Sequence, residues 1–72
     1  MIQLKRLNGR EFTLNAVMIE QVESLPDTTI TLVNGKKVLA ADSETDVIAK
    51  ITAYYQRVGL QRIYNEVGER HE

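Results

Sequence analysis

Leu4-Lys5-Arg6-Leu7-Asn8-Gly9-Arg10-Glu11-Phe12 and Ile30-Thr31-Leu32-Val33-Asn34-Gly35-Lys36-Lys37-Val38 are two versions of one pattern, offset by 26 positions. In each, Asn-Gly stands between alternating apolar positions, the strongest short-range signal of a β-hairpin. Loop length then decides which residues meet. A two-residue loop at Asn8-Gly9 sets Leu4 against Thr13 and Lys5 against Phe12, mixing apolar and polar partners on one face. A three-residue loop, Leu7-Asn8-Gly9, sets Leu4 against Phe12 and Ile2 against Leu14. It also gives Gly the left-handed position that a type I turn with a G1 bulge requires. The same loop in the second copy sets Ile30 against Val38 and Leu32 against the aliphatic stem of Lys36. The bulged register is expected in both hairpins, because a one-residue slip turns the apolar set to solvent. Asn8, Gly9, Asn34 and Gly35 are read as turn-formers.

Between the hairpins, Asn15 stands in cap position for one helical turn over Ala16-Val17-Met18. Ile19 to Ser24 then reads as a third strand with Val22 inward. Leu25-Pro26-Asp27 ends it, since Pro fixes φ and removes a donor, which makes Pro26 and Asp27 turn residues. Five short strands are expected near residues 2–7, 10–15, 19–24, 28–33 and 36–41, as an antiparallel meander or small curled sheet. Ser43-Glu44-Thr45-Asp46 matches a capping box, with acids favoured at the positive end of the helix it opens. Val47, Ile48, Ile51, Tyr54, Tyr55 and Val58 recur at helical spacing, and Gly59 is the expected stop. The fold class is therefore α+β, a small antiparallel sheet of about five strands followed by an amphipathic helix. Residues 1–58 form the domain, and residues 59–72 an apolar-stripe extension with a polar tail.

Seventy-two residues allow a single small core. Nine Lys/Arg against ten Asp/Glu leave a net charge of −1, unlike the basic excess of a dedicated nucleic-acid binder. With no cysteine, disulfides, thiolate metal sites and Cys nucleophiles drop out together. The one histidine, His71, excludes a His-rich metal site and a Ser-His-Asp triad. The amino-terminal residues alternate apolar and polar without the hydrophobic region of a signal peptide, and no apolar run is long enough to span a bilayer. A cytoplasmic protein is expected. Glu20 and Glu23 flank an inward strand residue, while Asp42, Glu44 and Asp46 belong to a helix start, so these carboxylates read as solvated or capping. Gly9 and Gly35 stand alone in turns, and no phosphate-binding loop is present. No catalytic residue, cofactor or metal site is indicated.

Two surfaces carry the remaining functional signal. Five of the basic residues, Lys5, Arg6, Arg10, Lys36 and Lys37, lie in or beside the two hairpin turns. If the tips are adjacent, they make a positive patch that the net charge hides. Phe12 is the one strand aromatic and is placed inside by the register, so a stacking platform for bases is missing. The helical stripe also continues past Gly59, through Leu60, Ile63, Tyr64 and Val67. Together with Tyr54 and Tyr55, these residues either wrap back onto the sheet or pack on a partner or sister subunit.

The ordered combination Arg6–Asn15, Ile19–Glu23 and Pro26–Lys37 resembles the FlbD family of small flagellar proteins, including its SwrD-like swarming-motility branch. The resemblance covers roughly residues 1–58. It implies a non-enzymatic bacterial protein that supports flagellar motor power through the stator, located in the cytoplasm or peripherally at the motor. It carries over no catalytic or ligand residues; the expectation built on it is a protein-interaction module, as a homo-oligomer or with a protein partner, that uses the Tyr54–Val67 surface or an exposed strand edge. The competing expectation is a small nucleic-acid-binding regulator that uses the basic hairpin tips, with salt-sensitive binding.

Overall fold

The register of both hairpins follows from the glycine in each loop. A computed structural model describes residues 1–59 of the chain. Strands β1 (Ile2–Lys5) and β2 (Glu11–Leu14) pair antiparallel with Ile2 opposite Leu14 and Leu4 opposite Phe12. At the tip, the Gly9 amide donates to the Arg6 carbonyl at 2.8 Å, and the Arg6 amide donates to the Arg10 carbonyl at 2.7 Å. Gly9 has φ +90°, the left-handed conformation that the bulged loop demands. The Asn8 side chain accepts from the Arg10 amide at 3.0 Å and locks the turn.

The second hairpin repeats this geometry. Strands β4 (Thr28–Leu32) and β5 (Lys37–Ala40) set Ile30 opposite Val38. The Leu32 amide donates to the Lys36 carbonyl, and Gly35 has φ +88°. Asn34 accepts from the Lys36 amide as Asn8 does from Arg10.

Asn15 caps a single 3-10 turn, Ala16–Met18, with its side chain accepting from the Val17 amide. Strand β3 (Ile19–Glu23) follows and pairs with β4. Ile19 lies opposite Leu32 and Val22 opposite Ile30, so three steps on β3 match two on β4. The register shift after Ile19 absorbs the extra residue, and both Ile19 and Val22 pack against the core. The Leu25–Pro26 peptide is cis in the turn that leads to β4.

The five strands divide between two sheets, β1-β2 and β3-β4-β5, where one sheet was expected from sequence. The sheets meet at the outer edge of β1. The Ala41 amide, just past β5, donates to the Lys5 carbonyl at 2.7 Å. The Lys5 amide donates to Asp42 Oδ1 at 2.7 Å, and Lys50 Nζ donates to the Gln3 carbonyl at 2.6 Å. Lys50 Nζ also lies 3.3 Å from Asp42 Oδ2. Asp42 is therefore not a solvated helix-start acid. It ties β1 to the chain that enters the helix.

Helix α1 (Glu44–Val58) opens with Ser43 Oγ accepting from the Asp46 amide at 3.1 Å. It closes where the Gly59 amide donates to the Tyr55 carbonyl, with Gly59 at φ +85°. The helix packs against β1 and β3. It buries Val47 fully and rests Ile51 and Tyr54 on the core of Ile2, Leu4, Ala16, Ile30, Leu32 and Ala40. Burying a side chain such as Val47 contributes about 2 kcal/mol. Ile48 departs from the expected stripe and is 48% exposed. One step from Val47 turns it about 100° around the axis, off the contact line.

A Cβ added at Gly9 or Gly35 would meet no atom within 4 Å, so alanine there is opposed by backbone conformation alone. Gly9→Ala and Gly35→Ala should each cost about 1 kcal/mol in urea unfolding, with unchanged m-values.

At Asp42, burial alone pushes the carboxyl up. The Lys5 amide, the Lys50 ammonium and Asp42's own main-chain N–H outweigh it and hold the group below its ordinary 3.8. A carboxyl with a lowered folded-state pKa stabilises the fold fully above the unfolded value. That contribution disappears as pH falls through the folded-state pKa. Wild type should therefore unfold at higher urea than Asp42→Asn at a pH of about 7, and the gap should narrow as the pH is lowered below the ordinary carboxyl value of 3.8.

Candidate functional site

The register that buries Leu4 and Ile30 also throws both loop tips to the same side of the molecule. Arg6, Leu7 and Asn8 of the first hairpin and Lys36 and Lys37 of the second line one open groove of about 580 Å³. Phe12, Leu14, Leu32, Val38 and Leu39 supply its apolar lining, with Thr13 beside them. Three cations therefore rim a mainly aliphatic floor, and no acidic side chain lines it. Leu7 and Leu39 are 53% and 46% exposed, so the apolar surface reaches solvent there.

Phe12 was expected inside the sheet. It is half-buried instead, packed against the core on one side and lining the groove on the other. The Arg6 guanidinium carbon sits 4.5 Å from its ring centroid, a cation–π contact that covers the aromatic face. Of the five basic tip residues, Arg6, Lys36 and Lys37 reach the groove. Lys5 and Arg10 are exposed but do not line it. Lys5 belongs through its main chain to the β1 edge.

The aromatic stripe of α1 is separate from the groove. Tyr54 packs against the core and Tyr55 is half-buried beside it, with ring centroids 5.8 Å apart. Arg57 lies over the Tyr54 ring at 5.7 Å. Leu60, Ile63, Tyr64 and Val67 lie outside the described residues. Asn8, Gly9, Asn34 and Gly35 form the two turns already described. Pro26 and Asp27 turn the chain between β3 and β4, where the Thr29 hydroxyl donates to the Asp27 carbonyl.

Sequence reading identified the cations but missed the apolar half of the groove. Two signals were present. Leu7 is an aliphatic residue inside a turn, and Leu39 sits at an outward strand position between inward Val38 and Ala40. Such surfaces suit a ligand that combines negative charge with aliphatic side chains. Among the described residues, no group of three or more His, Cys, Asp or Glu is placed to hold a metal ion. No described helix is long and apolar enough to cross a membrane.

The model of the FlbD family, described as flagellar and swarming motility proteins, matches residues 1–59, a span that includes both hairpins and the whole of α1. No curated protein and no solved structure matches the chain.

Lys36 and Lys37 are exposed and make no salt bridge among the described residues. Lys36→Glu/Lys37→Glu should therefore unfold within about 0.5 kcal/mol of wild type in urea, while reversing the charge of the groove rim.

Proposed function

The chain belongs to the FlbD family of flagellar and swarming motility proteins, and from that premise we propose that it is a non-enzymatic interaction module that supports flagellar motor power. The groove between the hairpin tips carries this reading. It joins exposed aliphatic surface to Lys36 and Lys37, which make no salt bridge among the described residues, and that combination suits a protein surface. The partner we propose is the stator, reached by a cytoplasmic protein that sits peripherally at the motor. Residues 1–58 act as the folded module. Tyr54, Tyr55, Leu60, Ile63, Tyr64 and Val67 provide a second contact, with the same partner or with a sister subunit in a homo-oligomer.

One observation favours a second reading. The tips do share a groove, so Arg6, Lys36 and Lys37 form the local positive patch that a nucleic-acid-binding regulator would use. The lining argues against it, since the one aromatic there is already covered by Arg6 and its other apolar residues are aliphatic.

Deleting the gene should leave filaments assembled while swimming force and swarming fall. Cross-linking in motile cells should then recover stator components with the wild-type protein. A deletion strain with normal force and normal swarming would sink the motor reading. Salt-sensitive binding to DNA or RNA that is lost on neutralising Lys36 and Lys37 would replace it with the second.

A further inference from the structure

Hydrogen bonding along an antiparallel pair alternates, and one observed bond therefore fixes which way each residue's main chain points. The Leu32 amide donates to the Lys36 carbonyl at 2.8 Å, making Leu32 and Lys36 a bonded pair. Two and four residues further along, the bonded pairs are Ile30 with Val38 and Thr28 with Ala40. The N–H and C=O groups of Lys37 and Leu39 must then point away from β4. Ala41 continues the same alternation and supports it, because its amide reaches outward to the Lys5 carbonyl.

At Ala41 the outward edge of β5 is closed by β1. At Leu39 and Lys37 it is not, since the groove lies there, with Arg6 and Leu7 of the first hairpin on its far side. Outside the strand ladders, no hydrogen bond from the main chain of Lys37 or Leu39 occurs among the described residues. Four main-chain groups are thus presented to an open groove.

We propose that this edge of β5 takes an extended acidic–aliphatic segment of a protein partner as an added strand, bonded to Lys37 and Leu39. The inference rests on the reading of the chain as an interaction module, and it specifies how that module binds. Strand addition draws affinity from main-chain bonds and specificity from the side chains beside them. Here the neighbouring side chains are Arg6, Lys36 and Lys37, which select acidic residues, and Leu7 and Leu39, which accept aliphatic ones. Lysine on an edge strand is also a common guard against self-pairing. Two β5 edges laid together would bring Lys36 and Lys37 close to like charge, which disfavours a second copy as the occupant. The same cations attract an acidic strand. Bases would find only Phe12 to stack on, and Arg6 covers its face.

The test uses the full chain, labelled with ¹⁵N, and a capped peptide of about eight residues that alternates Glu and Val. Saturable binding is expected, together with about tenfold slower amide hydrogen exchange at Lys37 and Leu39. Lys36→Glu/Lys37→Glu should weaken binding at least about tenfold, and so should N-methylation of alternate peptide amides. Because that double variant changes only exposed turn-proximal side chains, its fold is checked by the unfolding curve already described.

Four outcomes would overturn the proposal. These are no saturable binding up to about 5 mM peptide, binding without protection of the two amides, equal affinity for a Lys-Val peptide, or tighter binding of single-stranded DNA. If the peptide fails while deletion of the gene still lowers motor force, the strand-addition mode falls and the motility reading stands.

Discussion

Strand β1 would carry an unprotected outer edge if β2 were its only neighbour, and the chain between Ala41 and Lys50 supplies what that edge lacks. The Ala41 amide, the Asp42 carboxylate and the Lys50 ammonium together satisfy the carbonyls of Gln3 and Lys5 and the amide of Lys5. Each such bond contributes only about 1 kcal/mol net. Their consequence is larger than their sum, because they fix where the two sheets meet and where α1 begins. With Asp42 held on β1, Ser43 caps the helix at a set point and Val47 falls on the core. These ties connect positions up to 47 residues apart.

The same alternation of main-chain bonds explains why the molecule has a groove at all. Closure at Ala41 consumes the outer edge of β1 and one position of the β5 side. Beyond it the first hairpin turns through Leu7-Asn8-Gly9, and β5 keeps its edge at Leu39 and Lys37. Arg6 from the first hairpin and Lys36 and Lys37 from the second reach this opening. The result is a surface whose floor is continuous with the core and whose rim is basic, on a chain with a net charge of −1. Local charge, not the total, describes what the protein offers a partner.

Much of the fold was legible because its determinants are local. Gly9 and Gly35 specify left-handed turn positions, Asn15 and Ser43 cap the segments that follow them, and Gly59 ends the helix. Each feature depends on residues within a few positions of one another. Ile48, Phe12 and Asp42 were harder to read, since periodicity shows an apolar arc but not the line along which another element will touch it. The half-exposure of Phe12 and the capture of Asp42 by Lys5 and Lys50 arise from contacts between distant segments.

For the functional surface, the sequence determined the ingredients. It placed basic residues beside two Asn-Gly turns of the same pattern and left Leu7 where a turn would normally be polar. It also carried the pattern that makes the chain a member of a flagellar and swarming motility family. Only the tertiary structure decided that both tips open on one groove, which of the five cations reach it, and that the β5 edge there has no main-chain partner among the described residues. The physical reason is that turn chemistry is set by neighbours along the chain. Sheet closure is set by which main-chain edges find partners in space, and no local pattern encodes that choice.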